Sequence, residues 1–147
     1  MTVNPNGYVC LADGGTPRII TGYAKEVISG GQFVGASGAA TLVSSGADSF
    51  ATTDLQFYLT AGSGNFVGIA LNDAASGGTV SVGTRGLFLV PVSGTIVLAG
   101  THVGCSDKSD VIQLGSHALG YSPALNKIGR ALTTGSTGDY VVLDLNP

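Results

Sequence analysis

This sequence predicts an all-β fold: a compact small β-barrel or β-sandwich built from two pseudo-repeated β-units, with an extended N-terminal arm and little or no helix. Three observations predict it. The middle and the end of the chain follow one pattern: Gly68-Ile69-Ala70-Leu71 with Gly77-Gly78-Thr79-Val80-Ser81-Val82, then Gly129-Arg130-Ala131-Leu132 with Gly138-Asp139-Tyr140-Val141-Val142-Leu143, aligned without a gap at an offset of 61 positions. Upstream, Ile28, Gly31, Val34 and Gly35 have counterparts in Val97, Gly100, Val103 and Gly104. Such self-similarity marks a duplicated unit whose halves close onto one another. Short runs of Val, Ile, Leu and Phe also alternate with Gly/Ser/Asn/Asp clusters, the signature of many short strands. Finally, no segment carries a capped apolar period of 3.6 residues.

Along the chain, residues 1–18 read as an arm, because Pro5 and Pro17 fix extended backbone and Asp13-Gly14-Gly15 makes a joint. Residues 19–147 read as a single β domain, with the pseudo-repeats at about 26–84 and 95–145. The expected strands are 19–23, 26–28, 33–36, 40–42, 55–58, 66–71, 79–84, 86–90, 95–98, 118–121, 127–132 and 140–145. Val80-Ser81-Val82 alternates as a half-buried strand does, whereas the unbroken apolar run from Leu87 to Val92 predicts burial on both faces. Gly83 and Gly86 flank Arg85 and predict a bulge or a sharp bend. Asn72–Ala75 and Ser106–Asp110 could each support one helical turn; residues 44–49 and 59–64 read as surface loops.

Composition narrows the function. The chain has 147 residues, only 10% of them charged, and 24 glycines. A surface so poor in charge fits a protein that contacts other protein. Six cations, nine acids and a net charge of −3, with no run of Lys or Arg, argue against nucleic acid as a partner. No stretch of 18 apolar residues is present, so no membrane partner is expected. The first residues lack the charged and apolar regions of a signal peptide, which predicts synthesis in the cytoplasm. Free thiols at Cys10 and Cys105 are then the expectation, with a bridge between them as the alternative.

Little in the chain points to chemistry. His102, Cys105 and Asp107, with His117 further on, are ligand types that zinc accepts, but they lack paired spacing, and no metal or cofactor is expected. A Cys105–His nucleophile pair has nothing to orient the base, so no catalytic residue is assigned. Asp48, Asp54, Asp73, Asp107, Asp110, Asp139 and Asp144 are scattered as turn caps. Glu26 reads as a solvated partner of Lys25. The Gly-rich stretches lead into no helix and hold no phosphate-binding pattern. Arg85 and Arg130 stand out, because an Arg in an otherwise apolar strand tends to face a partner or a buried acid; an ordinary exposed strand face is the plainer reading. Arg130 occupies the position of Ile69 in the other half.

The order Ile28-Ser-Gly-Gly-Gln-Phe-Val, Val67-Gly-Ile-Ala-Leu, Ser76-Gly-Gly-Thr-Val-Ser-Val and Arg85-Gly-Leu-Phe-Leu-Val-Pro-Val, continued by Ile96-Val-Leu-Ala-Gly-Thr-His-Val, Ile128-Gly-Arg-Ala-Leu and Gly138-Asp-Tyr-Val-Val-Leu-Asp-Leu, resembles the capsid cement, or head decoration, proteins of tailed bacterial and archaeal viruses. The resemblance spans about residues 24 to 145. It implies a virion structural protein without enzymatic activity, bound to the major capsid protein on the outer face of the icosahedral head, often as a homotrimer. Val3, Pro5, Tyr8, Val9, Leu11 and Pro17 of the arm, with Arg85 and Arg130, are the candidate interface residues. Two other classes compete. A carbohydrate-binding virion module would need aromatic platforms from a chain without Trp, and a tail or neck subunit would need a long helix.

Overall fold

A computed structural model describes residues 18–37, 40–45, 48–53, 55–60, 66–94, 96–106, 109–114 and 127–146, with 40–45 and 48–53 described by backbone alone. Among these residues there are strands and turns and no helix. The strands are β1 (Ile19–Ala24), β2 (Phe33–Ser37), β3 (Ala40–Ser45), β4 (Asp48–Thr53), β5 (Gln56–Leu59), β6 (Phe66–Ala70), β7 (Thr79–Gly83), β8 (Gly86–Pro91), β9 (His102–Cys105), β10 (Val111–Gln113), β11 (Gly129–Ala131) and β12 (Tyr140–Leu145).

Each half of the chain builds its own five-stranded body. The first is a closed barrel in the order β1-β5-β2-β6-β7; the second is a sheet in the order β10-β9-β11-β12-β8, and β3-β4 form a separate hairpin. The second sheet is joined at its edges by only one isolated parallel bridge, Val92 to Val111, where the first barrel pairs Ala24 with Phe57; this nearly closed sheet is called the second barrel below. The two bodies share one register. Ile69 pairs with Gly83 and Ala70 with Val82; 61 residues later Arg130 pairs with Asp144 and Ala131 with Leu143. Phe33 opposite Ile69 corresponds to His102 opposite Arg130. The isolated bridge Ile28–Ala74 corresponds to Val97–Gly135. The first strands correspond too: Gly22 faces Val80 as Val90 faces Val141. Each unit therefore starts one strand earlier than the sequence motifs reach, because the offset changes from 68 at that strand to 69 and then 61 downstream, which hides the match from an ungapped comparison.

Two glycine positions explain why the pattern repeats. A Cβ on Gly68 would strike the carbonyl oxygen of Gly83 and lie 2.7 Å from Val82 Cγ1; on Gly129 it would strike the carbonyl oxygen of Asp144 and lie 2.9 Å from Leu143 Cδ1. Only a residue without a side chain lets these strands approach so closely. The turn that follows uses Gly77 at φ +82° and Gly138 at φ +88°, the left-handed region that glycine enters freely. Asp139 closes the second turn, accepting from Ser136 N at 3.0 Å and Ser136 Oγ at 2.8 Å. Those two bonds hold its carboxyl below the usual carboxylate range.

Two cores result. Ala24, Ile28, Val34, Phe57, Ala70, Ala74, Val80 and Val82 fill the first barrel. The second contains Val92, Val97, Val103, Val111, Ala131, Val141 and Leu143 at the matching positions, and it also takes in Phe88, Phe33 and Ile69. Several expectations are corrected here. The run from Leu87 to Val92 alternates, with Phe88, Val90 and Val92 buried and Leu87, Leu89 and Pro91 half-buried, because β8 is an edge strand of its sheet with one face on the core. Residues 26–28 and 96–98 contribute single bridges at Ile28 and Val97 instead of strands, and residue 95 lies outside the described residues. Residues 44–45 and 48–49 belong to the paired strands β3 and β4, and 102–105 and 111–113 are strands. Asn72–Ala75 forms no helical turn: Asn72 is a bend and Ala74 bridges to Ile28. Glu26 accepts from Leu59 N at 2.7 Å, while Lys25 donates to Ser37 Oγ at 3.2 Å, so they do not pair with each other. The expected strand at 118–121 lies outside the described residues.

Gly68→Ala and Gly129→Ala should each cost about 3 kcal/mol or more in urea unfolding, since both force a methyl into backbone. Gly77→Ala, whose Cβ meets nothing, should cost only about 1 kcal/mol; similar losses for all three would show that the close strand approach is relieved elsewhere. Asp139, with its pKa lowered by folding, adds stability that is present above the unfolded pKa of about 4 and is lost as pH falls through the folded value. Asp139→Asn should therefore flatten the acid limb of a melting temperature against pH curve.

Candidate functional site

The site grows from the way the two barrels meet. On β2, β6 and β7, alternate side chains point into the first barrel (Val34, Ala70, Val82) or away from it (Phe33, Ile69, Gly83). The outward set packs on the end of the second barrel. Phe33 and Ile69 are fully buried with Phe88, and Phe66 and Leu71 pack against the same cluster. Phe66 meets Phe33 edge-on, ring centres 5.6 Å apart at 84°. Gly83 lets the Phe88 ring in, for a Cβ there would lie 2.7 Å from its tip.

The second barrel presents the matching outward face with different chemistry. His102 stands where Phe33 does, Lys127 for Phe66, Arg130 for Ile69, Leu132 for Leu71 and Asp144 for Gly83. His102, Lys127, Gly129, Arg130, Asp144 and Asn146 line an open cavity of about 250 Å³. The first barrel's own end differs in the same sense. Phe88 and Ile128 are fully buried, while their counterparts Ile20 and Val67 are half-buried. Ile20 and Val67, with Arg18, Thr84, Arg85 and Asn146, line a second cavity of about 440 Å³. Asn146 belongs to both, so the two cavities adjoin. The junction thus has a closed, apolar side and an open, polar side.

Charge is concentrated on the open side. Arg18, Arg85, Lys127 and Arg130 are four of the six cations in a chain of net charge −3. Within the described structure no ion pair or side-chain hydrogen bond holds any of the four. Asp144 is the single carboxylate among the lining residues. The Nδ1 of His102 is buried without a hydrogen-bond partner. Cations presented this way recognise carboxylates and other anions.

Of the sequence candidates, the structure brings Arg85 and Arg130 to adjoining cavities. Val3, Pro5, Tyr8, Val9, Leu11 and Pro17, and Cys10, lie outside the described residues. His102 and Cys105 project from opposite faces of β9; Cys105 packs against the core and His102 lines the cleft. Among the described residues no group of three or more metal-ligating side chains forms. Arg18, His102, Lys127, Asp144 and Asn146 were missed as site residues. The repeat alignment that exposed Arg130 against Ile69 carries the signal for three of them, since His102, Lys127 and Asp144 also replace apolar or glycine partners.

Comparison with known proteins agrees with this architecture. A family model described as phage cement protein matches residues 15–143. No curated protein matches the sequence. Among solved structures, the head fiber gp8.5 N base of bacteriophage phi29 is similar in fold, with a TM-score of 0.58 and 15% identity over 89% of this chain and 95% of that one.

Exchanging the matched residues tests the asymmetry. Ile69→Arg places a guanidinium in the closed side and should cost about 3–5 kcal/mol or unfold the chain. Arg130→Ile on the open side should shift stability by less than about 0.5 kcal/mol. Equal effects in chemical denaturation would mean that the two faces are not distinct environments.

Proposed function

Since this chain belongs to the phage cement protein family, a family of capsid-associated structural proteins, we propose that it decorates the outer face of the mature icosahedral head as a homotrimer and stabilises the contacts between capsomers. Family membership over residues 15–143 carries this reading. The structural neighbour belongs to a head fiber, which is in keeping with it. The surface suits protein contact. Val27 is 69% exposed and Ile96, its counterpart in the second half, is 52% exposed, so each barrel offers the same apolar knob.

The physical mechanism is mass action. A protein that binds the expanded lattice and not its precursor lowers the free energy of the expanded state by the binding term. Two small barrels tied at a packed junction lose little conformational entropy on docking, so more of the contact energy appears as affinity. The arm, residues 1–18, contributes by strand addition to an exposed sheet edge, where backbone hydrogen bonds give affinity and Tyr8, Val9 and Leu11 supply side chains.

Purified protein should co-sediment with expanded capsids and not with unexpanded procapsids, and should elute from a sizing column at three times the chain mass. Deleting residues 1–16 should abolish capsid binding and leave the barrels folded. Equal binding to both particle forms would remove the stabilising role, and undiminished binding by the truncated chain would remove the role of the arm.

A further inference from the structure

We propose that the open side of the barrel junction, where Arg18, Arg85, Lys127 and Arg130 gather around Asn146, is the docking site for an acidic segment of the capsid protein. This inference rests on the capsid-binding reading above and assigns it a surface.

Three independent features favour a polypeptide occupant. Pseudo-symmetry is the first. On the closed side, the same backbone face is already covered by polypeptide, the Phe88 end of the second barrel. Among the described residues nothing covers the open side, which repeats that shape and is suited to receive chain. Charge is the second. Four cations without ion pairs among the described residues of an acidic protein create a local positive field, which draws and orients carboxylates. The third is the floor of the cleft. Ile20 and Val67 are half-buried there beside the basic side chains. An apolar side chain flanked by carboxylates would cover both.

Other occupants fit less well. No aromatic side chain among the lining residues offers a nucleic-acid base a stacking platform. A second copy of this chain has nine acids, no two of them adjacent, and so offers no acidic segment.

The test uses the full chain, isolated expanded capsids, and charge reversal at exposed sites. Lys127→Glu/Arg130→Glu should weaken co-sedimentation by roughly tenfold or more and reduce its sensitivity to salt. Arg18→Glu/Arg85→Glu should do the same. Lys25→Glu, which lines a different cavity, should change binding by less than about twofold. Unchanged thermal melts would show that each variant is folded. Wild-type binding with no loss in either double variant overturns the docking site while leaving the capsid reading in place. No wild-type binding at all removes the capsid reading, and the docking site with it. Loss of the oligomer on a sizing column in a double variant would identify the cleft as a contact between copies. Retention of a DNA oligonucleotide by wild type and not by the variants would assign the cleft to nucleic acid. Either result overturns the proposal.

Discussion

Phe88 decides that this chain is one body. Each half folds a small barrel with its own filling of Val, Ile, Leu and Ala, and barrels of that size bury little surface alone. The Phe88 ring enters the groove left open by Gly83 and is sealed by Phe33, Ile69 and Leu71. Burying side chains of this kind is worth about 1.5–3 kcal/mol each. A handful of them suffices to set the relative position of two otherwise self-contained units. Everything outside the barrels' own cores, including the cleft, follows from how that contact orients the halves.

A duplicated unit packed on its twin could use the same contact twice, once on each side of the junction. This chain uses it once. On one side the outward face is Phe33, Phe66 and Ile69; on the other the same strands carry His102, Lys127 and Arg130. The backbone is indifferent to the exchange, since registers and bridges agree on both sides. Solvation is not. A guanidinium or ammonium group taken out of water without a partner costs several kcal/mol, so the charged face must stay open. The asymmetry of the junction is therefore written in side chains alone. It converts a folding interface into a surface free to bind.

The fold class was legible because it depends on local spacing. Glycines at 68, 77, 129 and 138 and the aliphatic alternation around them recur at a fixed offset, and each is forced by close strand approach or by a left-handed turn. That the halves form separate five-stranded bodies was less legible. The strands that complete each unit, β5 with β10 and β1 with β8, sit at offsets of 54 and 68, outside the ungapped match. Strands such as His102–Cys105 and Asp48–Thr53 were hidden by polar residues that read as loop, yet ladder pairing tolerates Ser, Thr, His and Asp where a face meets water. The cleft was half visible. Arg85 and Arg130 stood out in the sequence, but Arg18 and Lys127 did not, and only the return of the chain to the junction at Asn146 brings the four together.

For the capsid-docking role proposed above, this division of labour would have a consequence for specificity. Apolar contact alone scarcely distinguishes one surface from another, because it is non-directional and scales with area. Charge placed on a rigid frame does discriminate, since a mismatched lattice would juxtapose like charges or leave them desolvated. Expansion of a shell moves capsomers relative to one another, so the spacing between acidic segments on its surface changes. A ligand whose cations are fixed by two interlocked barrels can match one spacing and not the other. On that proposal, the packing of Phe88 at the junction would let the open side distinguish the two lattices, and a looser junction would bind both more nearly alike.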